Sequence, residues 1–354
     1  KLQESEIPDS VTAIARAGAG VNNIPLALCS QKGIPVFNTP GANANAVKEL
    51  VAAAMLLASR DIVGGITFAQ SQDPSMAATD MSALMEREKK RFAGAELAGK
   101  TLGVVGLGSI GSLVARLGLD FDMDVVGFDP ALSVEAAWRL PSEVQRMENV
   151  QSLVNRSDFI SLHLPVLDST RGLINAEMLS HFKSGSCLLN FAREEIVSTE
   201  AVVGALDSGL LSRYVADFPN PLLLGRDDAL LMPHIGASTA EAEENCAVMA
   251  ANQLRGFLEH GNIRNSVNFP AIELERTTEY RITISNRNEP GMLSHILTLI
   301  GDDGLNVADL LNKSVGDIAY NIIDLDELPL QAVLDKISGL EGVINLRLIE
   351  GEPT

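Results

Sequence analysis

Short apolar runs alternate with helix-like stretches through the middle of the chain, between residues 100 and 235. The apolar runs predict strands at Thr101–Leu107, Asp124–Phe128, Phe159–Leu164, Ser186–Phe191, Tyr214–Phe218 and Ala229–Met232. The stretches between them predict helices, among them Ile110–Gly118, Asn175–His181 and Glu200–Ser208. Because strands and helices alternate at this spacing, the pattern favours a parallel, doubly wound α/β sheet.

The pattern changes on both sides of this sheet. Upstream, strand-like Val11–Ala17 and Ile34–Phe37 and the helical run Ala46–Ser59 predict a smaller α/β unit. The polar, charged segment Gln70–Arg91 predicts a helix and an exposed connection. Downstream, a long helical pattern runs from Ser238 to His260.

A compact pattern follows the linker-like segment Asn262–Pro270. It predicts, in order, strand Tyr280–Ser285, helix Met292–Gly301, strands Leu305–Asn312 and Ile318–Asp324, helix Leu328–Ile337 and strand Gly342–Glu350. The order β-α-β-β-α-β is the ferredoxin-like arrangement.

The chain length predicts the number of domains, and the net charge excludes some classes of binding partner. The 354 residues predict two or three domains at about 150 residues each. A formal charge of −19, from 46 acidic and 27 basic residues, argues against nucleic acid and anionic membranes as partners. An anionic metabolite can still bind where Arg, Lys or a helix N-terminus is placed locally.

Targeting signals and metal motifs are not found in the sequence. The sequence contains no run of about 18 apolar residues, so no membrane span is predicted. The chain starts with polar residues and with Lys1 rather than Met, which indicates a processed or incomplete chain without a signal peptide. Cys29, Cys187 and Cys246 are widely spaced, which favours buried thiols in a cytoplasmic protein. Five histidines in no ligand pattern argue against a metal.

A glycine-rich motif predicts a dinucleotide site. It contains Gly106, Gly108, Ser109, Ile110 and Gly111. The motif lies between a predicted strand and a predicted helix, and Asp129 ends the next strand, as a dinucleotide fold requires. A pyrophosphate would lie on the helix N-terminus, and Asp129 would accept the ribose hydroxyls and repel a 2′-phosphate. The motif therefore predicts NAD rather than NADP, with a ligand-free glycine turn as the alternative.

Several further motifs occur in one order along the chain. They are Arg16-Ala-Gly-Ala-Gly-Val-Asn22-Asn23, Gly33-Ile-Pro-Val-Phe-Asn38, Pro40-Gly-Ala-Asn43, Leu162-His163-Leu-Pro165, Asn190-Phe-Ala-Arg193 and Pro233-His234-Ile-Gly236. Together they make the chain resemble the D-2-hydroxyacid dehydrogenase family, and within it the members that act on 3-phospho-D-glycerate. The resemblance implies a Rossmann-type NAD domain inserted in a smaller flavodoxin-like substrate domain, plus a C-terminal ferredoxin-like ACT domain.

The resemblance also implies domain limits and an activity. The substrate domain would comprise residues 1–42 and a return segment with linker, 239–270, around an NAD domain at 43–238, and the ACT domain would cover 278–354. The first strand and helix of the substrate domain would precede Lys1. The implied activity is NAD-dependent oxidation of 3-phospho-D-glycerate to 3-phosphohydroxypyruvate, the first step of L-serine biosynthesis.

The resemblance also implies roles for individual residues that match the family's motifs. Arg193 would bind the substrate carboxylate and His234 would act as acid and base, since guanidinium pairs bidentately with carboxylate and imidazole titrates near neutral pH. Further cofactor contacts are expected at His163, Pro165, Thr170, Phe191, Ala192, Asp217 and Gly236, and further substrate contacts at Asn43 and Lys89. The alternatives without a functional role are a surface ion pair for Arg193, a helix cap for Asn43 and a solvated charge run for Lys89.

The ACT-like segment implies a regulatory ligand. Asn286, Asn288 and Asn306 match positions that hold L-serine in regulated relatives, and turn or cap chemistry is the alternative. Such sites form between paired domains, so a homo-oligomer, either a dimer or a tetramer, is expected.

One departure from the family weakens the catalytic expectation. The family places a Glu four or five residues after the Asp217 position, to orient the histidine, but here Pro221 and Leu222 stand there. Either Asp227, Asp228, Glu241 or Glu244 replaces it, or the histidine works alone. This departure keeps open a non-catalytic protein that senses NAD or serine. A dehydrogenase for another D-2-hydroxy acid also stays open, because the family's phosphate-binding segment would precede Lys1.

Overall fold

The computed structural model describes residue 2 and residues 7–138 and 140–351. The chain divides into two compact units. The first unit combines residues 1–42 with 243–354, and the second unit comprises residues 43–242. The second unit is thus inserted in the sequence of the first.

The secondary structure follows in chain order. The strands are β1 (Ile14–Ala15), β2 (Val36–Phe37), β3 (Thr101–Val105), β4 (Asp124–Phe128), β5 (Gln145–Arg146), β6 (Phe159–Leu162), β7 (Ser186–Asn190), β8 (Leu211–Ala216), β9 (Ala229–Leu231), β10 (Tyr280–Arg287), β11 (Val307–Val315), β12 (Ile318–Leu325) and β13 (Val343–Glu350). The α-helices are α1 (Leu26–Gln31), α2 (Ala44–Ser59), α3 (Ile62–Gln70), α4 (Ala78–Glu88), α5 (Ser109–Asp120), α6 (Val134–Trp138), α7 (Val150–Arg156), α8 (Ala176–Leu179), α9 (Thr199–Asp207), α10 (Ala240–His260), α11 (Met292–Asp302) and α12 (Gln331–Ser338). Short 3₁₀ helices lie at Lys89–Phe92, Glu194–Ile196 and Pro221–Leu223.

The second unit is built on a parallel sheet with the strand order β5-β4-β3-β6-β7-β8-β9. Its central strands are buried on both faces, so they read as continuous apolar runs. Helices cover the two faces, one over a core that includes Leu153 and Leu188 and the other over a core that includes Leu102 and Leu189. The predicted doubly wound Rossmann-type sheet is confirmed. The strand order reverses between β3 and β6, the point where such sheets bind ligands.

The element limits differ from the predictions where polar residues join the sheet. Strand β5 was not predicted, because both of its residues are exposed and polar. Strand β8 begins at Leu211, earlier than predicted, because the hydroxyl of Ser212 donates to the carbonyl of Ser186 and so satisfies a polar residue inside the sheet. The helix predicted over Asn175–His181 contains only Ala176–Leu179.

The first unit contains two sheets in its described residues. Strands β1 and β2 pair in parallel, with Ile14 opposite Val36. The other sheet is antiparallel, with the order β11-β12-β10-β13. Helices α11 and α12 pack on one face of it, where Ile296 and Ile337 contact the inward residues of the strands. The predicted ferredoxin-like arrangement is confirmed.

The opposite face of this antiparallel sheet is also covered. Tyr320 and Ile322 pack with Phe257 of α10 and with the linker residues Phe269 and Ile272. The Tyr320 hydroxyl donates to the carbonyl of Gly261 at 3.0 Å. The sheet is therefore fixed to the C-terminal end of α10.

No single described helix is long and apolar enough to cross a membrane. Helices α2 and α3 pass that test only when they are taken as a pair, and they are bent by 72° relative to each other.

Candidate active site

The loop between β3 and α5 leaves room for a phosphate group. Gly106 has φ +90°, and a Cβ there would lie 2.5 Å from the carbonyl oxygen of His163. A Cβ at Gly111 would overlap the carbonyl oxygen of Gly106, whereas nothing lies within 4 Å of the Cβ position at Gly108. No described side chain caps the N-terminus of α5. Backbone N–H groups from Ser109 onward are therefore available to a pyrophosphate.

Asp129 is half-buried at the carboxyl end of β4. Its carboxylate accepts hydrogen bonds from the N–H groups of Leu107, at 2.8 Å, and Ala131, at 2.9 Å. Each carboxylate oxygen keeps a second lone pair for a ribose hydroxyl. Asp129 therefore fixes the glycine-rich loop, and its negative charge disfavours a 2′-phosphate. The loop and Asp129 together fit NAD.

The segment after β6 forms a tight turn beside this loop. The Thr170 hydroxyl donates to the carbonyl of Pro165 at 2.6 Å and accepts from the N–H of Leu167 at 2.8 Å. The Nε2 atom of His163 lies 2.8 Å from the Ser161 hydroxyl. Its Nδ1 atom is buried without a partner among the described residues. Burial lowers the pKa of His163 to about 3, so its imidazole is neutral at pH 7.

The turn after β7 presents Arg193. The buried Asn190 side chain donates to the carbonyl of Arg193 at 3.0 Å and accepts from the N–H of Ala192 at 3.2 Å. Phe191 and Ala192 are buried, while the Arg193 side chain is exposed and donates to the carbonyl of Ala192 at 2.7 Å. The sequence interpretation missed Asn190 as the residue that shapes this turn. The available signal was an amide at the end of an otherwise apolar strand.

His234 follows β9 at the same edge of the sheet. It has φ +60°, which is uncommon for a residue other than glycine, and its exposed ring lies 4.9 Å from the Phe218 ring, centroid to centroid. The buried Asp217 carboxylate accepts from the N–H groups of Ile235, at 2.8 Å, and Gly236, at 2.7 Å. Asp217 therefore holds the loop that carries His234 in this strained conformation.

Two of the acids considered as partners for His234 do not serve that purpose. Asp227 and Asp228 precede β9, whereas His234 follows it, so they lie at the opposite edge of the sheet. Asp228 is paired with Arg226 through two hydrogen bonds of 2.8 and 2.9 Å. Among the described residues of the second unit, no carboxylate oxygen lies within 4.0 Å of a ring nitrogen of His234. Glu241 and Glu244 are exposed on α10.

The segment that would hold the expected Glu has a different chemistry. Asn220 donates to the Glu194 carboxylate at 3.1 Å, which ties the turn after β8 to the turn after β7. Leu223 is buried, whereas Leu222 is 55% exposed. An apolar side chain thus faces solvent where the family pattern places a carboxylate.

The remaining predicted substrate residues also lie in the second unit. Asn43 is the N-cap residue of α2, but its side chain makes no cap hydrogen bond. Capping therefore does not account for the Asn43 side chain. Lys89 is exposed in the 3₁₀ helix after α4 and pairs with Glu86.

The predicted serine residues are hydrogen-bonded within the antiparallel sheet and its loops. The buried Asn286 amide donates to the carbonyl of Arg287 at 2.6 Å and accepts from Asn321 at 2.7 Å. The Asn288 amide donates to the carbonyl of Gly316 at 3.2 Å. The local roles expected of turn chemistry are therefore present at both positions.

Asn306 lies at the other end of the same sheet. On β12, Ile318 pairs with Arg287, whereas Leu325 pairs with Val307, the residue after Asn306. The length of β12 therefore separates Asn306 from Asn286. One chain does not bring the three asparagines together, so a common ligand would require Asn306 from a second copy.

The geometry has a counterpart among known proteins. Residues 53–236 match the family described as D-isomer specific 2-hydroxyacid dehydrogenase, NAD binding domain. The chain is 32% identical to D-3-phosphoglycerate dehydrogenase of Methanocaldococcus jannaschii, over 90% of this chain and 58% of that protein. It is 30% identical to D-3-phosphoglycerate dehydrogenase of Haemophilus influenzae, over 93% of this chain and 79% of that protein.

A solved structure agrees with these sequence matches. The NAD⁺-bound 3-phosphoglycerate dehydrogenase of Entamoeba histolytica superposes with a TM-score of 0.57 and 27% identity, covering 75% of this chain and 77% of that one. The chain belongs to the D-isomer specific 2-hydroxyacid dehydrogenase family, whose members are NAD-dependent dehydrogenases. NAD is its cofactor, as the glycine-rich loop and Asp129 predict. The chain spans 58% of the length of the first of these relatives.

Proposed function

We propose that this protein oxidises 3-phospho-D-glycerate to 3-phosphohydroxypyruvate with NAD, the first step of L-serine biosynthesis. The observation that carries the proposal is the placement of Arg193 and His234. Both follow strands of the parallel sheet, at the carboxyl edge that also holds the glycine-rich loop. The names of the two curated relatives support this substrate over other hydroxy acids.

Each residue has one task in this reaction. NAD, when held by the glycine-rich loop and Asp129, would supply the hydride acceptor for C2 of the substrate. Arg193 binds the substrate carboxylate through two parallel N–H···O bonds and so orients C2. His234 takes the proton of the C2 hydroxyl while the carbonyl forms, and returns it in the reverse direction. Asn190 and Asp217 act on these two residues by shaping their turns.

The other assignments belong to the same proposal. The substrate domain comprises 1–42 and 239–270, the NAD domain 43–238 and the ACT domain 278–354. L-Serine regulates the enzyme by binding Asn286 and Asn288 of one copy and Asn306 of another, which implies a homo-oligomer. Asn43 and Lys89 contact substrate, and Pro165, Thr170, Phe191 and Ala192 contact NAD. Three buried, unpaired cysteines support a cytoplasmic location.

The test is NADH formation by the purified chain with 3-phospho-D-glycerate, with and without L-serine. We expect turnover that His234→Ala reduces by at least about a hundredfold, since general acid–base catalysis contributes about 10²–10⁴-fold. Exposed His295 provides the matched control, His295→Ala, which should keep full activity. Preference for an unphosphorylated hydroxy acid would contradict the proposed substrate.

No carboxylate lies near His234 among the described residues of the second unit, which favours a second candidate function. In it the protein binds NAD and an amino acid without turning over a substrate. NADH binding without oxidation or reduction of any 2-hydroxy acid or 2-oxo acid would support this sensor function. Turnover that depends on His234 would reject it.

A further inference from the structure

A cleft of about 880 Å³ lies beside Asp129 in the second unit. The end of β4 and residues between 129 and 148 line most of it. Leu107, Leu140 and Val144 give it an apolar surface and pack against the core below. The cleft therefore extends the dinucleotide site beyond the ribose contact at Asp129, with a surface suited to a flat aromatic ring.

Two unusually exposed apolar side chains border this cleft. Trp138 is 85% exposed and Val134 is 74% exposed, the two highest values among the large hydrophobic side chains of the described residues. They are four residues apart on α6, so they lie on the same face of the helix. Both line the cleft. Large apolar side chains left in water at a cleft are typical of a ligand site.

We infer that Trp138, with Val134 beside it, covers the adenine ring of bound NAD. The loop at Gly108 fixes the pyrophosphate and Asp129 fixes the adenosine ribose. The base on that ribose must then lie within reach of the adjoining cleft. An indole ring stacks well on the π-face of a base. The inference rests on NAD binding and not on the identity of the hydroxy acid.

The chain offers a direct optical test, because Trp138 is its one tryptophan. Titration with NADH should quench the tryptophan emission and excite NADH fluorescence by energy transfer. ADP-ribose, which lacks the nicotinamide, should also quench the emission, whereas nicotinamide mononucleotide, which lacks adenine, should not. An emission that saturating NADH and ADP-ribose leave unchanged would overturn the inference.

Calorimetry of variants provides the second measurement. Trp138→Ala should raise the Kd of NADH and of ADP-ribose about fivefold or more, the lower limit of a base–aromatic stack. Trp138→Phe should stay within about threefold of the unchanged chain, because it keeps an aromatic face. Leu328→Ala, at an exposed leucine of the first unit, is the matched control and should bind normally.

The outcomes separate this inference from the proposed function. Equal Kd values for the unchanged chain and Trp138→Ala, with equal melting temperatures, would reject the stacking role. Failure of the unchanged chain to bind NADH would reject the NAD site and this inference together. NADH binding without turnover of 3-phospho-D-glycerate would reject only the proposed substrate.

Discussion

At the scale of single residues, His234 is held by the backbone of its loop more than by contacts of its ring. Asp217 accepts two N–H groups of the loop after His234, and Phe218 contacts the ring. Position 222 carries an exposed leucine instead of an acid. The proton that the proposed mechanism transfers to His234 would therefore have no nearby counter-charge among the described residues of the second unit.

The first prediction adds that charge. Leu222→Glu should raise kcat about tenfold or more, because the family pattern has at this position the carboxylate that orients the histidine and stabilises the imidazolium. Steady-state NADH formation measures the effect. Leu222→Gln has a similar shape without the charge and should change kcat little. Equal rates for the Glu and Gln variants would show that charge at this position has no role.

The second prediction concerns His163 and pH. Its folded pKa of about 3 lies below the unfolded value of about 6.5. Between these values the unfolded chain binds a proton that the folded chain does not, so this contribution to stability falls as pH decreases from 6.5 towards 3. The loss is at most about 1.4 kcal/mol per pH unit.

Urea unfolding at several pH values tests this effect. His163→Asn should lose less stability than the unchanged chain on acidification from pH 6.5 to pH 4.5. The same replacement at exposed His295 is the matched control. Identical pH dependence in His163→Asn and the unchanged chain would contradict a neutral, buried imidazole.

At the scale of elements, two glycines in the turn from β3 to α5 have different roles, one in ligand binding and the other in stability. Gly108→Ala should leave the melting temperature nearly unchanged, since nothing lies within 4 Å of the new Cβ, but should weaken NADH binding about tenfold or more by filling the phosphate space. Gly111→Ala should lower the melting temperature as well, because its Cβ overlaps the carbonyl of Gly106. Calorimetric Kd values and thermal unfolding measure both effects.

One result would contradict the prediction for Gly108. A Gly108→Ala chain that binds NADH normally would show that the pyrophosphate does not lie over this residue.

Whether a strand could be predicted from the sequence depended on its burial. Strands buried on both faces, such as β6 and β7, are continuous apolar runs and were recognised, whereas the exposed, polar β5 gave no such signal.

At the scale of the whole molecule, buried charge fixes the ferredoxin-like sheet to α10. Arg281 and Asp324 are fully buried and form an ion pair with two hydrogen bonds, one to each carboxylate oxygen. The same guanidinium donates to the carbonyls of His260, at 2.8 Å, and Leu274, at 3.0 Å. The sheet and the C-terminal end of α10 thus share one buried cation within the first unit.

Removal of that cation gives the last prediction. Arg281→Met should destabilise the first unit by about 3–5 kcal/mol, because it leaves Asp324 buried and unpaired. Hydrogen exchange of the β10 amides reports the change locally. Arg264→Met breaks an exposed pair with Glu273 and should cost less than about 1 kcal/mol. Equal protection of β10 in both variants would contradict this role.

The sequence alone determined the parallel sheet, the ferredoxin-like order and the expected NAD loop, because each depends on local features. Apolar runs predict strands buried on both faces, and a glycine motif between a strand and a helix predicts a phosphate site. The resemblance supplied Arg193 and His234, whose positions in the sequence are far apart.

The tertiary structure decided the features that depend on contacts between distant segments. It assigned Asn190 and Asp217 to the turns that carry Arg193 and His234, and it placed Asp228 at the edge of the sheet opposite His234. It also separated Asn306 from Asn286 by the length of β12. No local pattern encodes these relations, because they arise only when strands far apart in sequence become neighbours.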